Sequence, residues 1–425
     1  MKFNKWTLGL AAVGAVSMAS AVRADEAKLS QVQTALSNTI ISGYVSASAN
    51  WQLTPGNSQI ASSPAGNIPL QSGKANGFNL DVVKLSISKA EDATPWAAGY
   101  QVDLLFGPDA VGWNPSANST GGQKGGSEQG EFSDFAIQQA FITLNTPVGN
   151  GIDWKIGTFN TVIGYESFDP ASNPNYTHSW GWAVEPTQHT GILASYKLND
   201  EFSFNAGVAN TLGTGINTRN TYNNSNGSAW NKTFMGSATF NAPSNWGWAS
   251  GSAFYVGMVY GYANGTFNSP TSTNGGDQGG NQQNYYAGAT LNSPWKDVTF
   301  GASFDYVQNL GGYGNYGPNN NAHANDYIVA LYNTIKATDK LSFNTRGEYW
   351  ELDAKSGSSY VGGDGGIDVT ETVEYDLWAN VVSRLEVRYD KATSSVTPGT
   401  IILPNSTFIS KSSSVGIYAN LVYKF

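Results

Sequence analysis

From Ile40 to the last residue, apolar and polar side chains alternate in segments of about 10–14 residues, the period of a strand with two unlike faces. In Arg384–Asp390, Leu385, Val387 and Tyr389 fall on one face; Arg384, Glu386, Arg388 and Asp390 fall on the other. The final segment repeats the rule, with Val415, Ile417, Ala419, Leu421, Tyr423 and Phe425 together. So do Trp96, Ala98, Tyr100, Val102, Leu104 and Phe106, and Val298, Phe300, Ala302, Phe304 and Tyr306. A water-soluble sandwich would pack the apolar face into a core. A membrane barrel would turn it to lipid and line a lumen with the polar face.

Connection lengths separate these two architectures. About sixteen strand candidates can be placed, an even number, and the links between them alternate between long and short. Long links are expected near 52–76, 107–134, 163–186, 212–230, 265–282, 310–325, 353–368 and 393–410. Short ones include Glu91–Pro95, Pro147–Gly151, Asn199–Glu201 and Thr338–Lys340. A sandwich has no reason to keep that parity. The expectation is therefore all-β: a transmembrane antiparallel β-barrel of about sixteen strands, with long extracellular loops and short periplasmic turns.

Composition agrees. Charged residues make up 12% of the chain and aromatic residues 13%, with 22 Tyr, 13 Trp and 49 Gly. Mean hydropathy is −0.30, and no segment of the chain reads as a transmembrane helix. Residues 1–24 read as a signal peptide: Lys2 and Lys5 precede an apolar stretch from Trp6 to Met18. Small-residue cleavage options follow at Ala19–Ala21 and Val22–Ala24. Residues 25–39 are a short periplasmic segment in this scheme, with Leu29, Val32 and Leu36 at helical spacing. The barrel then occupies 40–425. With no Cys, disulfides and thiolate metal sites are excluded. Loss of the leader, with Lys2, Lys5 and Arg23, takes the formal charge from −9 to −12, which argues against nucleic acid as a partner.

The stretch Gly43-Tyr-Val-Ser-Ala-Ser-Ala-Asn-Trp51 resembles the opening strand of the OmpL-like outer-membrane β-barrel porins. Within Ile137–Tyr196, Gln139–Leu144, Lys155–Phe159, Gly164–Glu166 and Pro186–Gly191 are similar to the middle of that family. The terminal Tyr423-Lys424-Phe425 resembles the assembly signal of bacterial outer-membrane barrels. The resemblance implies a porin in the bacterial outer membrane, in contact with its lipid, assembled as a homotrimer and passing small hydrophilic solutes or ions by passive diffusion. It says little about which solute.

Sixteen strands should enclose water rather than a packed interior. The loop Ile163–Pro186 is the constriction candidate, with Glu166, Asp169 and Glu185 as its acids and Trp180 and Trp182 as anchors. An acidic constriction would favour cations. The alternative is a loop lying over the barrel mouth with these acids in solvent. Lys84, Asp103, Lys155, Arg346, Glu348, Asp376, Arg384, Glu386, Arg388 and Asp390 are placed on the lumen face, because charge toward lipid costs about 2–4 kcal/mol near the midplane. They would either set up a transverse field or pair into bridges that stiffen the wall.

Other motifs fail on context. Gly312–Gly317 spells a dinucleotide fingerprint but leads into Pro318, not a helix. Gly362–Asp368 resembles a calcium-repeat turn once, off register. Of the histidines His178, His189 and His323, His189 lies six positions from Ser195 along an extended strand, roughly 20 Å, too far for a dyad. His178 adjoins Ser179 in the loop, where sequence gives no geometry. No enzyme, cofactor or metal is expected. The competing function is a closed structural or adhesive barrel whose loops bind a partner.

Overall fold

The computed structural model describes residues 32–33, 38–53, 74, 76–92, 94–113, 135–210, 212, 216, 232–263, 280–309, 324–354, 364–393 and 413–425. It forms sixteen long strands in one closed antiparallel barrel. In chain order these are β1 (Ile40–Gln52), β2 (Gly77–Lys89), β3 (Ala98–Phe106), β4 (Phe135–Thr146), β5 (Ile152–Asn160) and β6 (Gln188–Lys197). Next come β7 (Phe202–Ala209), β8 (Thr233–Asn241), β9 (Ala253–Ala263), β10 (Gly280–Asn292) and β11 (Val298–Gln308). The barrel is completed by β12 (Ala324–Lys336), β13 (Leu341–Ala354), β14 (Asp364–Trp378), β15 (Val381–Ala392) and β16 (Ser413–Lys424). Each strand pairs with its neighbours in sequence, and β16 pairs with β1, from Gly416 opposite Gln52 to Lys424 opposite Tyr44. Closure removes every free edge, as a membrane demands of its backbone N–H and C=O groups.

At the seam, Gly43 and Phe425 exchange two backbone hydrogen bonds, 3.0 and 2.9 Å. A Cβ at Gly43 would run into the Lys84 carbonyl and the Phe425 ring, so glycine is required by close approach. The final aromatic residue therefore clips the last strand to the first.

Burial is inverted relative to a soluble protein. On β15, Leu385 and Val387 are 53% and 45% exposed, whereas Glu386 and Arg388 are 0% exposed. The alternation is the one read in the sequence, but the charged face is the inner one. Aromatic residues ring the outer surface at both ends. Tyr285, Tyr306 and Tyr327 stack across three strands at 5.9 and 4.7 Å near the loop end. Phe202, Phe240 and Phe254 cluster at 5.0 and 6.2 Å near the turn end, with Trp246 beside them. Such amphipathic rings suit the two interfaces of a bilayer.

Several boundaries move. β14 begins at Asp364, not near 369, and turns into β15 through Ala379 and Asn380 alone. The hydrophobic alternation there runs on past Tyr375, and a bulge between Asp376 and Trp378 adjusts the register before the turn. The link before β14 thus spans only 355–363, shorter than the turn-end link at 242–252, where Ser244–Ala249 forms a 3₁₀ turn. Strict parity of lengths therefore fails at this pair of links. Val32–Gln33 pairs antiparallel with Ile40 and Ile41 and is extended, not helical. The rest of the expected 25–39 segment up to Ser37, the leader, Gly312–Gly317 and His323 lie outside the described residues.

If the outer face meets lipid, Val387→Arg should lower folding free energy into lipid vesicles by about 2–4 kcal/mol. Denaturant titration in vesicles reads this, and an unchanged midpoint would mean that this face is covered by something other than hydrocarbon.

Candidate functional site: the loop inside the barrel

The chain from 161 to 187, between β5 and β6, does not lie over the mouth. Its residues bond to inward side chains of β1, β2, β10 and β12–β15, and Glu185 contacts Asp305 of β11. One segment can touch that much of the wall only from within the lumen. Pro170–Ser172 forms a 3₁₀ turn, and Trp180–Val184 forms the short helix α1. Ser179 caps α1 by accepting from the Trp182 N–H at 3.1 Å. The Trp180 N–H, otherwise an orphan donor of the first turn, gives to both oxygens of Glu348 on β13, at 2.8 and 3.1 Å.

The wall holds this loop chiefly by its main chain. Arg384 donates to the carbonyls of Asn173 and Asn175 at 3.2 and 3.1 Å. Arg346 donates to Thr177 O at 2.6 Å and Arg388 to His178 O at 2.5 Å. Glu386 accepts from the N–H groups of Tyr176 and Thr177, at 2.6 and 3.0 Å. The arginines and acids therefore act as a template for loop conformation. They also pair along the wall: Asp368 bridges Arg346 Nε at 3.1 Å and Arg388 Nε at 2.9 Å, and Arg388 continues to Asp390 at 2.8 Å. The Trp180 indole donates to Asp390 at 3.0 Å.

The three loop acids have unlike surroundings. Glu166 accepts from Arg346 and from Tyr332 at 3.1 Å each, from Ser179 N–H at 2.9 Å, and meets His178 Nδ1 at 3.0 Å. Burial alone would raise its pKa, but the Arg346 charge, His178 and the Ser179 N–H outweigh burial and hold the carboxyl at about 2. Asp169 pairs with Lys84 at 2.8 Å and accepts from Tyr44 at 3.0 Å. Its side chain keeps 33% exposure against 2% for Glu166. Glu185 is buried against Asp305, and among the described residues it has no cationic partner. Toward β4–β10 an apolar cluster forms within the barrel: Phe141, Leu193, Met235, Val259 and Tyr286 pack with Ile163 of the loop and Leu212.

Of the charges expected inside, Lys84, Asp103, Arg346, Glu348, Arg384, Glu386, Arg388 and Asp390 share the lumen face, and all but Asp103 contact the loop. Asp103 accepts from Ser86 at 2.7 Å and Gln139 at 2.8 Å and pairs with Lys84 at 3.3 Å. Lys155 stands apart, over the Phe141 ring at 4.9 Å. Asp376 lies at the turn end beside the bulge, away from the loop network. His178 and Ser179 engage Glu166 and Trp182, and His189 meets Thr161 at 3.1 Å. Sequence reasoning missed Asp368, Asp305, Asp81 and Lys74. Asp305 alternates with Phe304 and Tyr306, so its inward position was readable. Asp368 was hidden in an apparent glycine turn. Lys74, which bridges Asp109 at 2.8 Å and Asp81 at 3.3 Å, sits in a long link with no period to read.

The family model described as "Putative beta-barrel porin-2, OmpL-like" matches residues 38–425. Among curated proteins none matches the chain in sequence. Solved structures similar in fold include the outer membrane channel DcaP of Acinetobacter baumannii, at TM-score 0.57 and 11% identity, covering 93% of this chain and 100% of that one. OmpT of Vibrio cholerae in trimer form gives 0.55 and 12%, over 91% and 99%. An anion-selective porin from Comamonas acidovorans gives 0.55 and 10%, over 91% and 99%. At such identities the likeness carries the fold alone.

Arg346→Met should leave Glu166 buried without its arginine and Asp368 with Arg388 alone, costing about 3–5 kcal/mol, and should expose the loop to protease while the barrel persists. Limited proteolysis followed by mass mapping reads it; cleavage confined to other loops would contradict the role given to Arg346. Because the Glu166 pKa is depressed, its contribution is present above the ordinary carboxylate range and is lost as pH falls toward about 2. Loop protection should accordingly survive acidification from pH 7 to 5 and fade below about 4.

Proposed function

The chain belongs to the OmpL-like β-barrel porin family of the bacterial outer membrane, and from that premise we propose that it forms a water-filled channel for passive diffusion of small hydrophilic solutes. The observation that carries this reading is the internal loop. A barrel of this size with a loop held across its lumen by wall charges narrows the passage without needing a cofactor or a moving part. Long loops face outward and short turns face the periplasm, and residues 1–24 are removed on export. Copies assemble as trimers, as the Vibrio protein's trimer form suggests by analogy.

Selection by charge is assigned to the expected constriction acids Glu166, Asp169 and Glu185, and among them chiefly to Asp169. Glu166 is neutralised by Arg346 and hidden, and Glu185 is buried against Asp305, whereas Asp169 is one-third exposed. The excess of acids over bases in the chain, 31 against 22, favours cations at the entrance.

A second reading has its own support: loop and wall bury one another so fully that a closed barrel, acting through its outer loops, is physically reasonable. Single-channel conductance of the refolded mature protein, with reversal potential under a salt gradient, separates the two. Stable conductance steps with a cation-favouring reversal are expected, and Asp169→Asn should move the reversal toward anions while Glu166→Gln leaves it nearly in place. Insertion without current would sink the channel and favour the closed barrel.

A further inference from the structure

Of the cations expected on the lumen face, Lys155 alone makes neither hydrogen bond nor ion pair among the described residues. It lies on β5 between Thr143 of β4 and Leu193 of β6. It shares its face with Asp153 and the buried Phe159, while Ile156 on the other face is 42% exposed. Its ammonium sits over the Phe141 ring at 4.9 Å. By contrast Lys84, Arg346 and Arg388 are ion-paired, and Arg384 bonds the loop main chain. An ammonium against an apolar ring gives up water on that side. The cation–π contact offsets part of the cost but supplies no anion.

The groups beside it carry the opposite sign. Asp153, two positions along the strand, accepts from Asn145 at 2.6 Å. Glu91, from the turn between β2 and β3, faces Asp153, and its Oε2 is buried with no hydrogen-bond partner among the described residues. Both acids attract Lys155 without pairing with it. Ser195 of β6 stands opposite Asp153, and its hydroxyl also has no partner among those residues. On the turn side of the apolar cluster, the β4–β6 wall thus brings together a cation with free donors, two carboxyls and a free hydroxyl.

We infer that this patch binds small zwitterions of the α-amino acid class, the ligand carboxylate on Lys155 and the ligand ammonium on Asp153 and Glu91. Simpler charged solutes match only half of it. A plain carboxylate meets Lys155 but is repelled by the two acids, and a plain cation meets the acids but is repelled by Lys155. A zwitterion satisfies both. Side chains two positions apart on a strand start roughly 7 Å from one another. That leaves room for an ammonium and a carboxylate on adjacent carbons, each about 2.8 Å from its protein partner. The Ser195 hydroxyl can donate to the one or accept from the other. The inference names a solute class for the proposed channel, and it rests on that reading for the solute's passage.

The probe is L-alanine, with acetate and ethylammonium standing for its two halves. Binding to the refolded mature protein in detergent is read by saturation-transfer NMR, and single-channel current is recorded in parallel. Saturable transfer to alanine is expected, with much weaker transfer to acetate or ethylammonium, and current interruptions that become more frequent with alanine concentration. Lys155→Met keeps the apolar length of the side chain and should weaken alanine binding roughly ten-fold, as the loss of a charge-assisted hydrogen bond implies. Folding is read independently from heat-modifiable migration on gels. Asp153→Asn should weaken alanine binding while leaving acetate binding no weaker. No saturable alanine signal from a folded barrel, an equal signal from acetate, or undiminished alanine binding in either variant would overturn the proposal. A barrel that binds alanine but passes no current would keep the site and sink the channel; current without alanine binding would do the reverse.

Discussion

The structure depends on one constraint: in a barrel wall, polar backbone and charged side chains must both find partners away from lipid. Strand pairing settles the backbone, and the seam at Gly43 and Phe425 completes it. The side chains are settled by pointing Arg346, Arg384, Arg388 and their acids inward, where burial would be costly if they stood alone. They do not stand alone. They hold one another along β13–β15, and their remaining donors and acceptors are filled by the main chain of the loop 161–187. Loop and wall thus solve the same problem for each other: the loop gains a conformation, and the wall gains partners.

This arrangement changes what lumen charge means. Arginines and carboxylates inside a pore invite the idea of an open field across which a solute moves. Here most of them are spent on structure. Glu166 accepts from Arg346, Tyr332 and Ser179 and is nearly inaccessible, so its bonds are spent on loop position. Asp169 is bonded to Lys84 and Tyr44 but keeps part of its carboxylate exposed. The apolar cluster around Phe141, Leu193 and Met235 fills the opposite side. The dimensions of any passage are therefore set by how the loop root at Ile163 and Tyr165 packs on that cluster as much as by charge.

Much of the fold was legible because the strand period is a property of single residues in order. Leu385, Val387 and Tyr389 against Glu386 and Arg388 gave both the strand and the direction of each side chain. The period does not announce its own ends, which is why β14 begins at Asp364, inside the link expected at 353–368. Inward charges were readable wherever they alternated with apolar neighbours. The partners within the lumen were not legible at all. That Arg384 would bond Asn173 and Asn175, or that Glu185 would face Asp305, depends on how a loop without period folds back through three-dimensional space.

The central claim is that the loop is docked within the barrel against the β13–β15 wall. Asn175 Nδ2 donates to Thr372 Oγ1 at 2.8 Å, with both side chains buried, and the chain has no native cysteine to compete. The most direct measurement is therefore disulfide formation in the variant carrying Asn175→Cys and Thr372→Cys, after mild oxidation of the folded protein. The account predicts near-complete loss of free thiol, with the barrel still folded and a shifted mobility that reductant reverses. Two free thiols in a folded barrel, with the residue-175 thiol reactive toward a bulky water-soluble maleimide, would contradict it and place the loop outside.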